Sequence, residues 1–281
     1  MASDKRNIVL AFDVYGTLLS TASIAQKLGE FLGDDAKAKH IAAEWRKYQL
    51  EYTWRLNSMN QYLPFSTVTA RALRHALAEA GAPLPPSATA SLLTAYDALA
   101  PFPDALAGLD ALRAANGNGN DDDDDDGGAP TLRFAALAFS NGTRAMVESS
   151  LAAAPGLAPR AAGLLRRVVV VDDGGGAGPR YKPAPEAYEA CLRAVGVGGG
   201  EEGEEEKEVE GRPRSRADVW LVSGNPFDVV GARAAGMNAC WVDRAGTGWV
   251  DGLAEEGMGP EVVVRGLDEV VGKVRDKVLG G

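Results

Sequence analysis

The chain has 281 residues, 46% of them hydrophobic, and a formal net charge of −10. That length suits one large domain, or a core domain carrying a smaller insert. The acidic balance argues against nucleic acid, which needs a basic stripe, and no apolar run reaches the ~18 residues of a membrane span; neither partner is expected.

The first element is an apolar run, Asn7-Ile8-Val9-Leu10-Ala11-Phe12. It delivers Asp13 and turns at once through Val14-Tyr15-Gly16-Thr17. It reads as a strand buried on both faces. Met1 to Arg6 bear no likeness to a signal peptide, which makes the cytoplasm the expected location. Residues 20–104 then read as a helical insert. Its long helix, His40 to Met59, carries Ile41, Trp45, Tyr48, Tyr52, Leu56 and Met59 close to one face. Pro101-Phe102-Pro103 marks the return of the chain to the main body, residues 1–19 and 105–281.

In that body short apolar runs recur at Leu132 to Phe139, Val168 to Val171, Val219 to Val222, Ala239 to Val242 and Val262 to Val264. Helical patterns lie between several of them: Thr143 to Ala154, Ala184 to Val195 and Pro226 to Ala235. Pro185 and Pro226 suit a first helical turn. Buried strands alternating with helices predict an α/β fold: a Rossmann-like three-layer core with a mostly parallel sheet and a helical domain inserted after strand 1.

The charge is uneven. Asp121 to Asp126 are six aspartates, and residues 201–212 hold seven glutamates against one lysine and one arginine. Together these stretches carry the whole net charge, so the rest of the chain is near neutral. Residues 115–130 and 196–216 are expected to be flexible acidic or glycine-rich loops. Cys191 and Cys240 lie in apolar sequence and read as buried free thiols. No zinc-ligand spacing occurs.

In an open parallel sheet, ligands sit beyond the carboxyl ends of the strands. Strand 1 brings Asp13, Tyr15 and Thr17 there, and strand 2 brings Ser140-Asn141-Gly142. Strand 4 is followed by Ser223-Gly224-Asn225-Pro226-Phe227-Asp228, and Tyr181-Lys182-Pro183 precedes a helix. Singly, each has a plain structural reading. Asp13 could cap its own turn, Lys182 could be an exposed turn lysine, and Asp228 could be a first-turn aspartate favoured by the helix dipole. Together they gather a carboxylate that can act as a nucleophile once desolvated and an ammonium that would keep it ionised.

In that order, Asp13-Val14-Tyr15-Gly16-Thr17, Ser140-Asn141-Gly142, Lys182-Pro183 and the Ser223–Asp228 segment resemble the haloacid dehalogenase superfamily. Trp45-Arg46-Lys47-Tyr48-Gln49-Leu50-Glu51-Tyr52-Thr53-Trp54 and Ala100-Pro101-Phe102 are similar to the cap domain of its type II L-2-haloacid dehalogenases. The likeness covers most of the chain outside the two acidic stretches. The resemblance implies that Asp13 attacks C2 of a short 2-haloacid and forms an ester. Arg46 would reach over the site to receive the halide or orient the substrate. Thr17, Ser140 and Asn141 would bind the substrate carboxylate, and Lys182, assisted by Tyr188, would balance charge. Ser223, Asn225 and Asp228 would fix Asp13 and place the hydrolytic water. Tyr15, Phe227 and Trp54 would wall the alkyl group and halogen. No cofactor and no metal are implied, and a homodimer through the cap is allowed by the apolar face of residues 41–59.

Two residues depart from the commoner pattern. Gly224 is expected to be silent, while Phe227, where many members carry tryptophan, bears on pocket size. The phosphatases of the superfamily carry a second aspartate two places after the nucleophile, as proton donor to the leaving oxygen. Here that place holds Tyr15, and a departing halide needs no proton. A related phosphatase, a phosphonate hydrolase with Lys47 as its amine, and a non-catalytic binding protein on the same fold remain the alternatives.

Overall fold

A computed structural model describes residues 6–117, 132–173, 178–197, 213–254 and 257–280. The acidic stretches at 121–126 and 201–212 lie outside them.

Strand β1 (Arg6–Phe12) is the first apolar run. The insert follows as α1 (Ile24–Leu32), α2 (Asp35–Ser58), α3 (Phe65–Glu79) and α4 (Pro86–Tyr96), and α5 (Pro103–Gly117) returns to the sheet. Next come β2 (Leu132–Ser140), α6 (Arg144–Ala153), α7 (Ala158–Ala161), β3 (Leu165–Val170) and α8 (Pro185–Ala194). The chain ends with β4 (Val219–Ser223), α9 (Pro226–Ala234), β5 (Asn238–Val242), β6 (Val262–Val264) and α10 (Val270–Gly280).

The strands form one sheet in the order β3-β2-β1-β4-β5-β6, and every ladder is parallel. The apolar runs are unbroken because strands such as β4 are buried along their whole length. With right-handed crossovers, the packed pairs α5 with α10 and α8 with α9 flank the sheet on opposite faces. Strand order reverses between β1 and β4, and a crevice opens there at the carboxyl ends.

Several boundaries differ from the sequence reading, among them the start of β3 at Leu165 rather than Val168. Helix α2 starts five residues before His40, because the Asp34 side chain accepts the Lys37 amide at 2.9 Å and caps it there. Met59 lies just past its end and is 55% exposed, so it leaves the buried face that Ile41, Trp45, Tyr48 and Leu56 keep. Residues 115–117 are helix rather than loop. Asn116 pairs its side-chain amide with both main-chain groups of Phe134, donating at 2.8 Å and accepting at 3.2 Å. Similarly, Val197 and Pro213 are buried and Arg216–Asp218 forms a 3₁₀ turn, so only residues 198–212 of the second expected loop are outside the described chain.

The chain enters and leaves the insert through two adjacent segments. Leu19 bridges Pro101, the Ser20 amide donates to Ala100 O at 2.8 Å, and the Phe102 amide donates to Leu18 O at 3.0 Å. Within it, α2 is fixed to its neighbours by buried polar contacts. Trp45 Nε1 donates to Thr69 O at 2.9 Å, Gln49 Nε2 to Thr69 Oγ1 at 2.9 Å, and Tyr96 OH to Gln49 Oε1 at 2.8 Å. Both cysteines are free and buried. No helix of the described residues is long and apolar enough to cross a membrane.

Candidate active site

Asp13 stands where β1 ends, at the crevice between β1 and β4. Its amide still donates to Val222 O at 3.0 Å, so the carboxylate is carried on the last paired position of the sheet. The chain then turns on Gly16, whose φ of +93° suits glycine. The Gly16 amide donates to Leu19 O at 2.8 Å, closing the turn. That turn sends Thr17 back toward Asp13, and its hydroxyl donates to Oδ2 at 2.7 Å. Asn225 Nδ2 donates to the same oxygen at 2.8 Å and to Tyr15 O at 3.1 Å. Asp13 is only 6% exposed.

Lys182 lies on the loop before α8, yet it is 1% exposed. Its ammonium donates to Phe139 O at 2.8 Å and Asp228 Oδ2 at 2.9 Å, and reaches Asp13 Oδ1 at 3.3 Å. The exposed-turn reading of this lysine is thereby excluded. Burial opposes the charge, but Asp228 and Asp13 outweigh it, and the ammonium's pKa lies above the usual lysine range. Asp228, fully buried in the first turn of α9, also accepts the Tyr188 hydroxyl at 2.7 Å. Burial holds the Asp228 carboxyl above its ordinary value, with Lys182 working against that rise. The Tyr188 phenol is pushed well up by burial and by Asp228. One ammonium thus serves two carboxylates and one main-chain carbonyl.

Arg46 comes from α2 of the insert. Its Nη2 donates to Tyr15 O at 3.0 Å and lies 3.4 Å from Asn225 Oδ1. It therefore touches the same carbonyl and the same side chain that frame Asp13. Trp54, two turns further along α2, meets Phe227 of α9 edge-on at 5.5 Å between ring centroids. Those two aromatic rings close one side of the crevice between insert and core. Tyr15 is 3% exposed and packs against Phe65 and Tyr96 of the insert at 5.9 and 5.8 Å. Its hydroxyl lies 3.3 Å from Ser150 Oγ, and burial pushes its phenol well up. An aspartate here would meet rings where a proton donor needs a polar path.

The remaining expected residues act on their neighbours. Ser140 Oγ accepts the Gly142 amide at 3.0 Å and Ser223 Oγ accepts the Asn225 amide at 3.1 Å. Both hydroxyls are buried and shape their turns; Ser223 holds Asn225, and through it Asp13, rather than touching Asp13. Asn141 Oδ1 accepts the Lys182 amide at 2.8 Å, which leaves its amide nitrogen as the group that can face a ligand.

Gly224 has two roles that a simple reading of a small residue overlooks. Its amide donates to Thr17 Oγ1 at 2.9 Å, and a Cβ built on it would lie 2.7 Å from Gly16 O. Gly231, one turn after Asp228, carries no mark in the sequence, yet a Cβ there would fall 2.2 Å from the Tyr188 hydroxyl. A glycine inside a helix, such as Gly231 in α9, often marks a packing constraint, here the Tyr188 ring. Tyr96, Gln49 and Phe65 back Arg46 and Tyr15; of these only Gln49 carries a signal in the sequence, its i, i+3 spacing from Arg46 on one helix. Among the described residues no group of three or more His, Cys, Asp or Glu side chains is gathered for a metal ion. The cation between Asp13 and Asp228 is the chain's own ammonium.

The family model for haloacid dehalogenase-like hydrolases matches residues 9–236. The haloacetate dehalogenase H-2 of Moraxella sp. (strain B) is 29% identical, over 95% of this chain and 97% of its own. The (S)-2-haloacid dehalogenase of Pseudomonas sp. (strain YL) is 30% identical, over 93% of this chain and 92% of its own. The structure of L-2-haloacid dehalogenase from Xanthobacter autotrophicus with chloropropionic acid covalently bound superimposes with a TM-score of 0.70 at 26% identity, covering 95% of this chain and 98% of that one. Motif order, parallel sheet, insert and relatives agree: the chain belongs to the haloacid dehalogenase superfamily of hydrolases, on its type II L-2-haloacid dehalogenase-like branch.

Proposed function

We propose that this protein hydrolyses short L-2-haloacids to D-2-hydroxyacids and halide through an ester on Asp13. The observation that carries this reading is the asymmetry of the Asp13 carboxylate. Oδ2 accepts two short hydrogen bonds, from Thr17 and Asn225, whereas among the described residues Oδ1 has only the Lys182 ammonium at 3.3 Å. Oδ1 is thus the oxygen with a lone pair to spare, aimed from a nearly dry site where a carboxylate becomes a useful nucleophile.

In the first step Oδ1 forms a bond to C2 of the substrate as the carbon–halogen bond breaks, and both electrons of that bond leave with the halide. Inversion at C2 follows from attack opposite the leaving group. Arg46, the cation at the insert side of the crevice, receives the halide or holds the substrate carboxylate. The Asn141 amide nitrogen serves the carboxylate, while the Thr17 hydroxyl, whose proton is given to Asp13, holds the nucleophile. In the second step water attacks Cγ of Asp13, the ester C–O bond breaks, and the alkoxide leaves as the alcohol. One water proton ends on that alcohol and the other goes to solvent by way of Asp228, whose raised basicity suits it to hold a proton briefly. Trp54, Phe227 and Tyr15 wall the alkyl group.

Tyr15 supports the choice of leaving group. A phosphate ester needs a proton on its leaving oxygen, and Tyr15 is packed between rings with its hydroxyl turned to Ser150. The test is chloride release from L-2-chloropropionate, with the product's configuration read by chiral chromatography. A single turnover in heavy-oxygen water should label Asp13 rather than lactate. Label in lactate would replace the ester route with direct attack by water. Absence of halide release from every short 2-haloacid, together with hydrolysis of p-nitrophenyl phosphate in magnesium, would transfer the assignment to phosphoryl chemistry.

A further inference from the structure

Lys182 is held at its head by Asp13, Asp228 and Phe139 O, but its main chain is held from elsewhere. Asn57, in the last turn of α2, forms a two-way pair with the residue before it. Asn57 Nδ2 donates to Tyr181 O at 2.6 Å, and Asn57 Oδ1 accepts the Tyr181 amide at 3.0 Å. This is the hydrogen-bond pattern one strand offers another, supplied here by one side chain. Around it the same contact is reinforced. Arg180 Nη1 donates to Asn57 O at 2.7 Å, its Nη2 donates to Asn60 Oδ1 at 2.7 Å, and the Tyr181 hydroxyl donates to Leu63 O at 2.5 Å. On the core side the Lys182 amide is tied to Asn141. The segment 180–182 is therefore gripped between the end of α2 and the turn after β2.

We propose that Asn57 is a positioning residue through which the helical insert sets the place of the Lys182 ammonium. The argument is one of leverage. Arg46 and Asn57 lie on the same helix, eleven residues apart by number. Arg46 touches the Asp13 frame at Tyr15 and Asn225, and Asn57 touches the Lys182 frame at Tyr181. A shift of α2 that lifts Arg46 off the site also pulls on the main chain one residue from Lys182. The two cations that the reaction uses on opposite sides of Asp13 thus move with one rigid element. Asn57 is only half-buried, so its bonds to Tyr181 can open without exposing a large apolar surface. Its role in catalysis rests on the dehalogenase reading given above; its role in placing Lys182 does not.

The test compares two variants that both loosen the insert from segment 180–182. Asn57→Ala removes the pair to the Tyr181 main chain. Arg180→Ala removes the neighbouring bonds to Asn57 O and Asn60 but leaves that pair. Reductive methylation of the folded protein, followed residue by residue by mass spectrometry, reads how well Lys182 is protected without any substrate. Asn57→Ala should speed Lys182 modification about tenfold, as expected when two hydrogen bonds of ordinary net strength are lost, and Arg180→Ala should speed it far less. In halide release, Asn57→Ala should lower kcat with little change in KM. It should also move the acid limb of the rate profile to higher pH, because Asp228 holds its proton longer when the ammonium is less firmly placed. Equal protection of Lys182 in wild type and Asn57→Ala, or the same loss in both variants, overturns the proposal. Failure of the wild type to release halide while Lys182 protection still depends on Asn57 would sink the dehalogenase reading and leave the positioning role standing.

Discussion

The Thr17 hydroxyl accepts the Gly224 amide at 2.9 Å and donates to Asp13 Oδ2 at 2.7 Å. Because its lone pair is engaged by one strand's turn, its proton is directed at the carboxylate on the neighbouring strand. Thr17→Val keeps the shape, withdraws that proton from Asp13 and strands the Gly224 amide. The expected outcome is a stability loss of about 1–3 kcal/mol, read by denaturant unfolding, with a larger fall in halide release than in substrate binding. Thr17→Ser should recover most of both.

Lys182→Met should cost about 3–5 kcal/mol near neutral pH, because it leaves two carboxylates buried without their cation. The sign of its pH dependence follows from the raised pKa of Lys182. Stability from the ammonium is fully present below the ~10.4 of unfolded lysine and is lost as pH rises through the higher folded value. Wild type and variant should therefore differ most from neutral pH to about 10 and converge above it. Urea midpoints measured across that range check it; a gap that widens with alkali contradicts it.

Gly231→Ala places a methyl where the Tyr188 hydroxyl sits. The ring must withdraw from Asp228, and the expected penalty is about 1–3 kcal/mol of overpacking. Tyr188→Phe in the same background should restore part of the stability, since it removes the clashing oxygen. A double-mutant cycle by thermal unfolding measures the coupling.

Phe227→Ala opens the aromatic contact with Trp54. Preference should shift toward longer 2-haloacids, by roughly 10-fold or more per added methylene if the freed space is filled. Ratios of kcat/KM for 2-chloropropionate and its longer homologues report it, and unchanged ratios would remove Phe227 from the substrate wall.

Neither cysteine should react with a thiol reagent at neutral pH in the folded protein. Burial pushes the Cys191 thiol up to about 12 and raises Cys240 as well. Denatured protein should yield both thiols, whereas rapid labelling of the native state would show that Cys191, beside Lys182 and Asp228, is more open than its burial indicates.

The sheet and much of the site were readable in the chain because both leave short-range marks. Buried parallel strands are unbroken apolar runs, and Asp13, Lys182 and Asp228 stand out as polar residues where those runs stop. Contacts made by a side chain to a distant main chain leave no such mark. Asn57 on Tyr181 and Asn116 on Phe134 look like ordinary polar residues at helix ends, and nothing in their spacing points across the fold. Gly224 and Gly231 were hidden for a related reason: the need for space comes from a neighbour far away in sequence. Ser140 and Ser223 stand at strand ends as the sequence leads one to expect, but their hydroxyls accept amides of their own turns, a direction that sequence does not encode.

The ladder that joins Leu18–Ser20 to Ala100–Phe102 gives the insert an entrance and an exit side by side. A segment with adjoining ends can be lengthened, exchanged or removed while the sheet beneath keeps its strand order. The core would then be a socket, and whichever module is plugged between those two short segments would bring its own cation and its own aromatic wall to the same aspartate. Swapping residues 20–100 for the corresponding piece of a relative is thus a route to a different crevice that leaves Asp13 and Lys182 in place.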